Sequence, residues 1–168
     1  AKWLLSRKDG KGGWLLNERH LHDWVKNDLI RNAYIIWALS EAGFYDEIEI
    51  EIEETYKKAI QSEDAYAMAL MANVMSIIND ERAENLIAEL LKMQNENGSW
   101  NGKDFSITFS KGKNLQIETT SLVALAIMDW EADANLELRK AIDFIAKSKN
   151  NNGFGSTQST VLAMKTLV

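Results

Sequence analysis

A chain of 168 residues, 46% apolar and 26% charged, is long enough to close one sizeable core and too apolar to remain disordered. Its formal charge of −6 argues against a nucleic-acid surface, which would need a basic face, and no run of about 18 apolar residues is present to span a membrane. The absence of cysteine excludes disulfides, thiolate nucleophiles and thiolate metal ligands within these residues.

In chain order, "AKWLLSRKDGKGGW" lacks the apolar region and cleavage site of a signal peptide and begins within an element, so the chain reads as a piece of something longer. An amphipathic helix end there runs into a Gly turn carrying Trp14. The loop "NERHLHDW" follows, with His20 and His22. Two solvated loop histidines are the plainer reading, because residues two apart suit metal binding from a strand and no ligand beyond Asp23 is evident. "NAYIIWALSEAG" is then a strongly apolar helix. The stretch 47–54, "EIEIEIEE", alternates with period two, yet Ile48, Ile52, Tyr56 and Ile60 also fall at helical spacing. With "TYKKAIQ" behind it, the stretch is predicted to open an amphipathic helix with a solvated acidic side.

A second apolar helix, "DAYAMALMANVMSI", carries Ala65, Ala67, Ala69 and Ala72, small enough for neighbouring backbones to approach closely. The next helix is amphipathic: Leu86, Ile87, Leu90 and Leu91 face inward, and Glu84, Glu89 and Lys92 face water. It runs through "QNENGSW" into a second Gly turn, at Trp100. In "DFSITFSKGKNLQIET", Phe105, Ile107 and Phe109 alternate before Lys111-Gly112-Lys113-Asn114, which predicts a small β-hairpin near 104–118. "ETTSLVALAIM" is a third apolar helix. "FIAKSKNNNGFG" brings a third Gly turn, at Phe154, and "STVLAMKTLV" a fourth apolar helix.

The chain therefore alternates two helix types. The apolar type has to be buried on nearly all sides, and the amphipathic type shields it. This pattern predicts an all-α fold, an α/α toroid of helical hairpins, with four hairpins present. Average usage near 5% would place about eight prolines here; none occurs, which suits packed helices that cannot spare a backbone donor. Met68, Met71, Met75, Met93, Met128 and Met164 read as core filling.

The Gly-rich "GFGSTQ" invites a phosphate-loop reading. The same kind of turn recurs before other apolar helices, however, and the Gly-Lys-Ser/Thr of a P-loop is missing. It is predicted to be a structural turn, with Ser156 or Thr157 capping the last helix. Asp64, Glu118 and Asp129 are the carboxylates open to a glycosidase or lyase role in an α/α barrel. Glu118, at the start of an apolar helix, is more simply explained by dipole stabilisation and turn bonding. No catalytic, metal or cofactor residue is assigned, and no cofactor is expected.

Several stretches carry a resemblance. "NGFGSTQSTVLAMKTL" resembles the C-terminal signature of the thioester domain of the alpha-2-macroglobulin and complement family. "LQIETTSLVALAI" resembles that family's Glu-Thr-Thr/Ser helix. "SRKDGKGGW…NAYIIWALSEAG" and "DAYAMALMANV" are similar to its bacterial branch. "QNENGSW" also matches a repeat of terpene cyclases, which share the toroid architecture and use it to tie outer helices together.

The resemblance implies a domain of about six hairpins, of which 1–168 would supply the last four. It implies protease inhibition or trapping in defence, with proteases or other target proteins and the parent's remaining domains as partners. It also implies an extracellular, periplasmic or cell-surface location. The family's thioester joins Cys and Gln of a Cys-Gly-Glu-Gln motif, which this sequence does not contain. Some members steer acyl transfer with a histidine in the loop corresponding to His20 and His22; the spacing here does not match closely, and neither is assigned that role. An α/α-toroid carbohydrate- or terpenoid-active enzyme and a thioester-less interaction module stay open as alternatives.

Overall fold

The computed structural model describes residues 1–15, 28–150 and 153–168. Eight α-helices form there: α1 (Lys2–Leu5), α2 (Asp28–Glu41), α3 (Glu49–Ser62), α4 (Ala65–Ile77), α5 (Arg82–Lys92), α6 (Gly112–Asp129), α7 (Asn135–Ser148) and α8 (Thr157–Leu167). The fold is all-α. Among the described residues, extended pairing is confined to two isolated bridges, Lys8–Trp14 and Asn150–Gly153.

The two helix types take the two positions that their sequences require. In α4 every residue from Ala65 to Met75 is buried, and in α6 every residue from Ile117 to Ile127. Such burial needs neighbours all round, and alanines at 65, 67, 69, 72, 124 and 126 keep these helices thin enough to have them. The amphipathic helices bury only a stripe: Ala83, Leu86, Ile87 and Leu90 in α5, and Ala141, Phe144 and Ile145 in α7. The apolar helices form an inner row, α2 on α4, α4 on α6 and α6 on α8. Helix α3 packs on α2 and α4, α5 on α4 and α6, and α7 on α6 and α8. The acidic stretch at 47–54 is helical, in a 3-10 turn (Asp46–Ile48) and then α3, as its apolar spacing predicts.

Two expectations are corrected. No β-hairpin forms near 104–118. The Ser106 N–H donates to the Ser110 carbonyl (3.1 Å), closing a tight turn, and Phe109 takes a left-handed backbone with φ of 64°. That backbone breaks the alternation, so Phe105 and Phe109 stack face to face, with centroids 4.9 Å apart. Lys111-Gly112-Lys113-Asn114 is no turn but the start of α6, with Lys111 as its N-cap.

Helix α8 is also not enclosed on nearly all sides. Val161 is 56% exposed and Met164 is 47% exposed, so Met164 fills no core. At the end of the inner row, α8 packs broadly on one inner helix, α6, and meets α2 at Lys165, which pairs with Glu41 (2.8 Å) and lies over the Trp37 ring, whereas α4 and α6 each pack on two inner helices.

Glycine is required where turns press on helices. Gly98 has φ of 86°, and a Cβ there would collide with the Lys140 carbonyl of α7. Gly155 has φ of 98°, and a Cβ there would collide with the Asn114 side chain of α6. Both positions combine a left-handed backbone with close approach, which only glycine tolerates.

Candidate functional site

A run of buried polar residues lies in the first half of α6, at Glu118, Thr119 and Thr120. All three are completely buried. Thr119 turns back on its own helix and donates to the Leu115 carbonyl (2.8 Å). The other two reach outward, each to a different Gly turn.

Thr120 holds the turn at Trp100. Its hydroxyl donates to the Gln116 carbonyl (2.7 Å), which leaves its lone pairs free to accept the Trp100 backbone N–H (3.0 Å). The Trp100 ring is fully buried in the main core, and its indole N–H donates to the Leu90 carbonyl at the end of α5 (2.5 Å). Asn95 N–H donates to Ser99 O (2.9 Å), closing the loop. The amide of Gln94 donates to the Gly98 carbonyl (3.1 Å) and to the Glu137 carbonyl of α7 (2.9 Å), tying two outer helices together.

The turn at Trp14 repeats this build. The Trp14 indole donates to the Leu4 carbonyl (2.9 Å), again ten residues back, and Asp9 N–H donates to Gly13 O (2.9 Å). Each indole N–H takes the second lone pair of a carbonyl in the last turn of a helix, since the Leu4 carbonyl also accepts the Arg7 N–H (3.0 Å) and the Leu90 carbonyl the Met93 N–H (2.9 Å).

Glu118 holds the turn at Phe154. Its Oε1 accepts from Ser110 Oγ (2.5 Å), Ser156 Oγ (3.0 Å) and Ser159 Oγ (3.1 Å). Ser156 is also the N-cap of α8, its hydroxyl accepting from the Ser159 N–H (3.0 Å). Ser159 Oγ lies 2.7 Å from Ser156 Oγ and 3.2 Å from the Asn114 carbonyl. The opening of "GFGSTQ" thus caps a helix and docks on a carboxylate, and the structural-turn expectation is met. Phe154 itself joins Ile117, Phe144, Ile145 and Ala163 in a small separate core.

The three carboxylates singled out from sequence occupy three unrelated environments. Asp64 caps α4, accepting from the backbone N–H groups of Tyr66 (3.1 Å) and Lys103 (3.0 Å). Burial pushes its pKa up, and those two donors pull it back. Asp129 ends α6, where burial also raises its pKa; Lys165 opposes that rise and Glu41 adds to it. Glu118 shares no hydrogen-bond partner with either. The clefts of about 440 Å³ at Lys140 and Phe144 and about 470 Å³ at Tyr45 and Arg82 have none of the three in their walls. His20, His22 and Asp23 lie outside the described residues. No group of three or more metal-ligating side chains occurs among the described residues.

Glu118 is completely buried, and its Oε1 is held by three serines of its own chain. What the arrangement can do is hold two turns on one helix. The sequence shows Glu118 and the capping serine but conceals Ser110, whose segment alternates like a strand, and Thr120 as the acceptor for Trp100. The available signal is the spacing of Glu118 and Thr120, two residues apart within an apolar helix; Glu118 does not start that helix, because α6 begins at Gly112 and has no acid in its first turn, so dipole stabilisation does not explain it.

A family model described as the A-macroglobulin TED domain matches residues 1–168. The search of curated proteins returns no match.

Proposed function

The chain belongs to the A-macroglobulin TED domain family, and on that premise we propose that it serves as the C-terminal part of the thioester domain of a bacterial alpha-2-macroglobulin-like protein. The observation that carries the reading is the meeting of two stretches that resemble family signatures. Glu-Thr-Thr at 118–120 and Gly-Ser-Thr-Gln at 155–158 are joined across one buried carboxylate. The alternation of inner and outer helices supports a share in an α/α toroid.

In this role residues 1–168 are framework. They contain no cysteine, so the acyl donor would come from elsewhere in a parent protein. Protease cleavage of that parent would expose the thioester, a nucleophile on the target would attack its acyl carbon, and the thiolate would leave. The partners are then proteases or other target proteins, in an extracellular, periplasmic or cell-surface setting, and the product is a trapped target. We assign no catalytic residue, since Glu118 is completely buried and hydrogen-bonded to serines of its own chain.

Intact-mass measurement after methylamine treatment tests this reading. Residues 1–168 gain no mass, whereas the parent polypeptide gains one methylamine. A parent that takes up none overturns the trapping reading and leaves a thioester-less interaction module.

A further inference from the structure

The chain contains three Asn-Gly pairs, at 97–98, 101–102 and 152–153. In such a pair the glycine amide nitrogen can attack the asparagine side chain, because glycine has no Cβ to hinder the approach. The attack needs that nitrogen free and able to lose its proton.

Two of the three glycines commit their N–H groups to the Gly turns. Gly98 N–H donates to the Asn95 carbonyl (2.9 Å), and Gly153 N–H to the Asn150 carbonyl (3.1 Å). Gly98 is also buried, with its left-handed backbone pressed against the Lys140 carbonyl. A buried, hydrogen-bonded N–H reacts only when the structure opens around it. Asn152 itself lies outside the described residues.

The pair at 101–102 is built differently. Asn101 is exposed, and Gly102 N–H has no hydrogen-bond partner among the described residues. The acceptor end is prepared in both pairs. Gln116 Nε2 donates to Asn101 Oδ1 (2.9 Å), while Ser99 N–H (3.1 Å) and Ser99 Oγ (2.6 Å) donate to Asn97 Oδ1. A donor there stabilises the negative charge that the oxygen takes up as its carbon is attacked. What separates the two pairs is the nucleophile.

We propose that Asn101 is a site of spontaneous, backbone-assisted deamidation in the folded protein, and that the fold protects Asn97 from the same reaction. Hydroxide takes the Gly102 amide proton, and the nitrogen bonds to Asn101 Cγ. The Cγ–Nδ2 bond breaks, and ammonia leaves with a proton from water, which returns the hydroxide and closes a cyclic imide. Water then opens the ring at either carbonyl, giving aspartate or isoaspartate. Both products add a negative charge at 101, and isoaspartate puts an extra methylene into the main chain. The segment is anchored on both sides, Trp100 N–H on Thr120 of α6 (3.0 Å) and Lys103 N–H on Asp64, the cap of α4 (3.0 Å). The reaction therefore lengthens the chain between two fixed points.

Peptide mapping by tandem mass spectrometry tests this on the whole chain, kept at mildly alkaline pH either folded or unfolded in guanidinium. Incubation lasts until the unfolded chain has reacted at both sites, and fragment ions assign each NH-for-O exchange to 97 or 101. In the folded chain Asn101 is expected to react about tenfold faster than Asn97 or more, because Gly98 must first be released by local opening. In guanidinium both glycine N–H groups are free, and the two rates should converge. Three results overturn the proposal: equal rates in the folded chain, a folded chain that reacts at neither site, or a difference that persists unchanged in guanidinium.

Discussion

The turns at Trp100 and Phe154 each join an outer helix to an inner one, each has glycine in a left-handed backbone, and each leans on α6. They are seated differently. Trp100 places a large ring in the main core and satisfies its indole with a carbonyl of the helix it has just left. Phe154 sits in a five-residue core beside α8, a helix with open apolar surface, and is backed by three serines and a carboxylate. Where apolar area is plentiful the turn is held by burial, which scales with area and has no directionality. Where it is scarce, directed hydrogen bonds to a buried carboxyl group take over.

Substitutions rank the two modes of attachment. Trp100→Ala is expected to have the largest effect, a loss of about 3–5 kcal/mol read from the denaturant midpoint, because it empties a fully buried ring site. A midpoint that scarcely moves would mean that the turn is not held by burial. Glu118→Ala follows at about 2–3 kcal/mol, since it removes the acceptor that three serine hydroxyls share and empties a completely buried site. Glu118→Gln, which keeps an acceptor, should lose less. Equal losses for Ala and Gln would show that the charge matters more than the hydrogen bonds.

Thr120→Val should lose about 1–2 kcal/mol, because it keeps the shape and leaves the Trp100 N–H without its acceptor. Ser156→Ala removes the cap of α8 and one of the donors to Glu118, for a loss of about 1 kcal/mol in thermal or denaturant unfolding.

The smallest effect belongs to a surface cluster outside both turns. Arg82 holds the Asp80 carboxyl below its ordinary value, and Lys57 and then Arg82 do the same for Glu53. Lowered carboxylate values stabilise the fold above the ordinary values of 3.8 and 4.5, and that stabilisation is lost as the pH falls through the folded values. Arg82→Gln should therefore lose less than about 1 kcal/mol at neutral pH and nothing in strong acid. A loss that persists at pH 2 would mean that packing of Arg82 on Tyr56, rather than charge, is responsible.

Much of the fold was legible because burial leaves a period in the sequence. Helices α4 and α6 read as enclosed from their high apolar and alanine content, and α5 as an outer helix from its apolar stripe. The 104–118 segment was not, because Phe105, Ile107 and Phe109 mimic a strand. What decides against the strand is a left-handed φ at Phe109 and one Ser106–Ser110 hydrogen bond, neither of which leaves a periodic trace. Exposure of Met164 was equally hidden, since a sequence shows how apolar a helix is and not how many neighbours it has. At the site, Glu118 stands out as a carboxylate within an apolar helix, although the sequence places it at the helix start and α6 begins earlier, at Gly112. Its partners are 8, 38 and 41 residues away, a separation that only the tertiary fold supplies.

The central claim is that Glu118 and Thr120, two residues apart, clamp two different turns. Native-state amide hydrogen exchange on Glu118→Ala and Thr120→Val tests it most directly, because local opening is read element by element. Glu118→Ala is predicted to speed exchange in α8, at Leu162 and Ala163, while the amides around Trp100 keep their protection. Thr120→Val is predicted to do the reverse. If both variants loosen both turns alike, or if α8 keeps its protection without Glu118, the two-sided clamp is wrong.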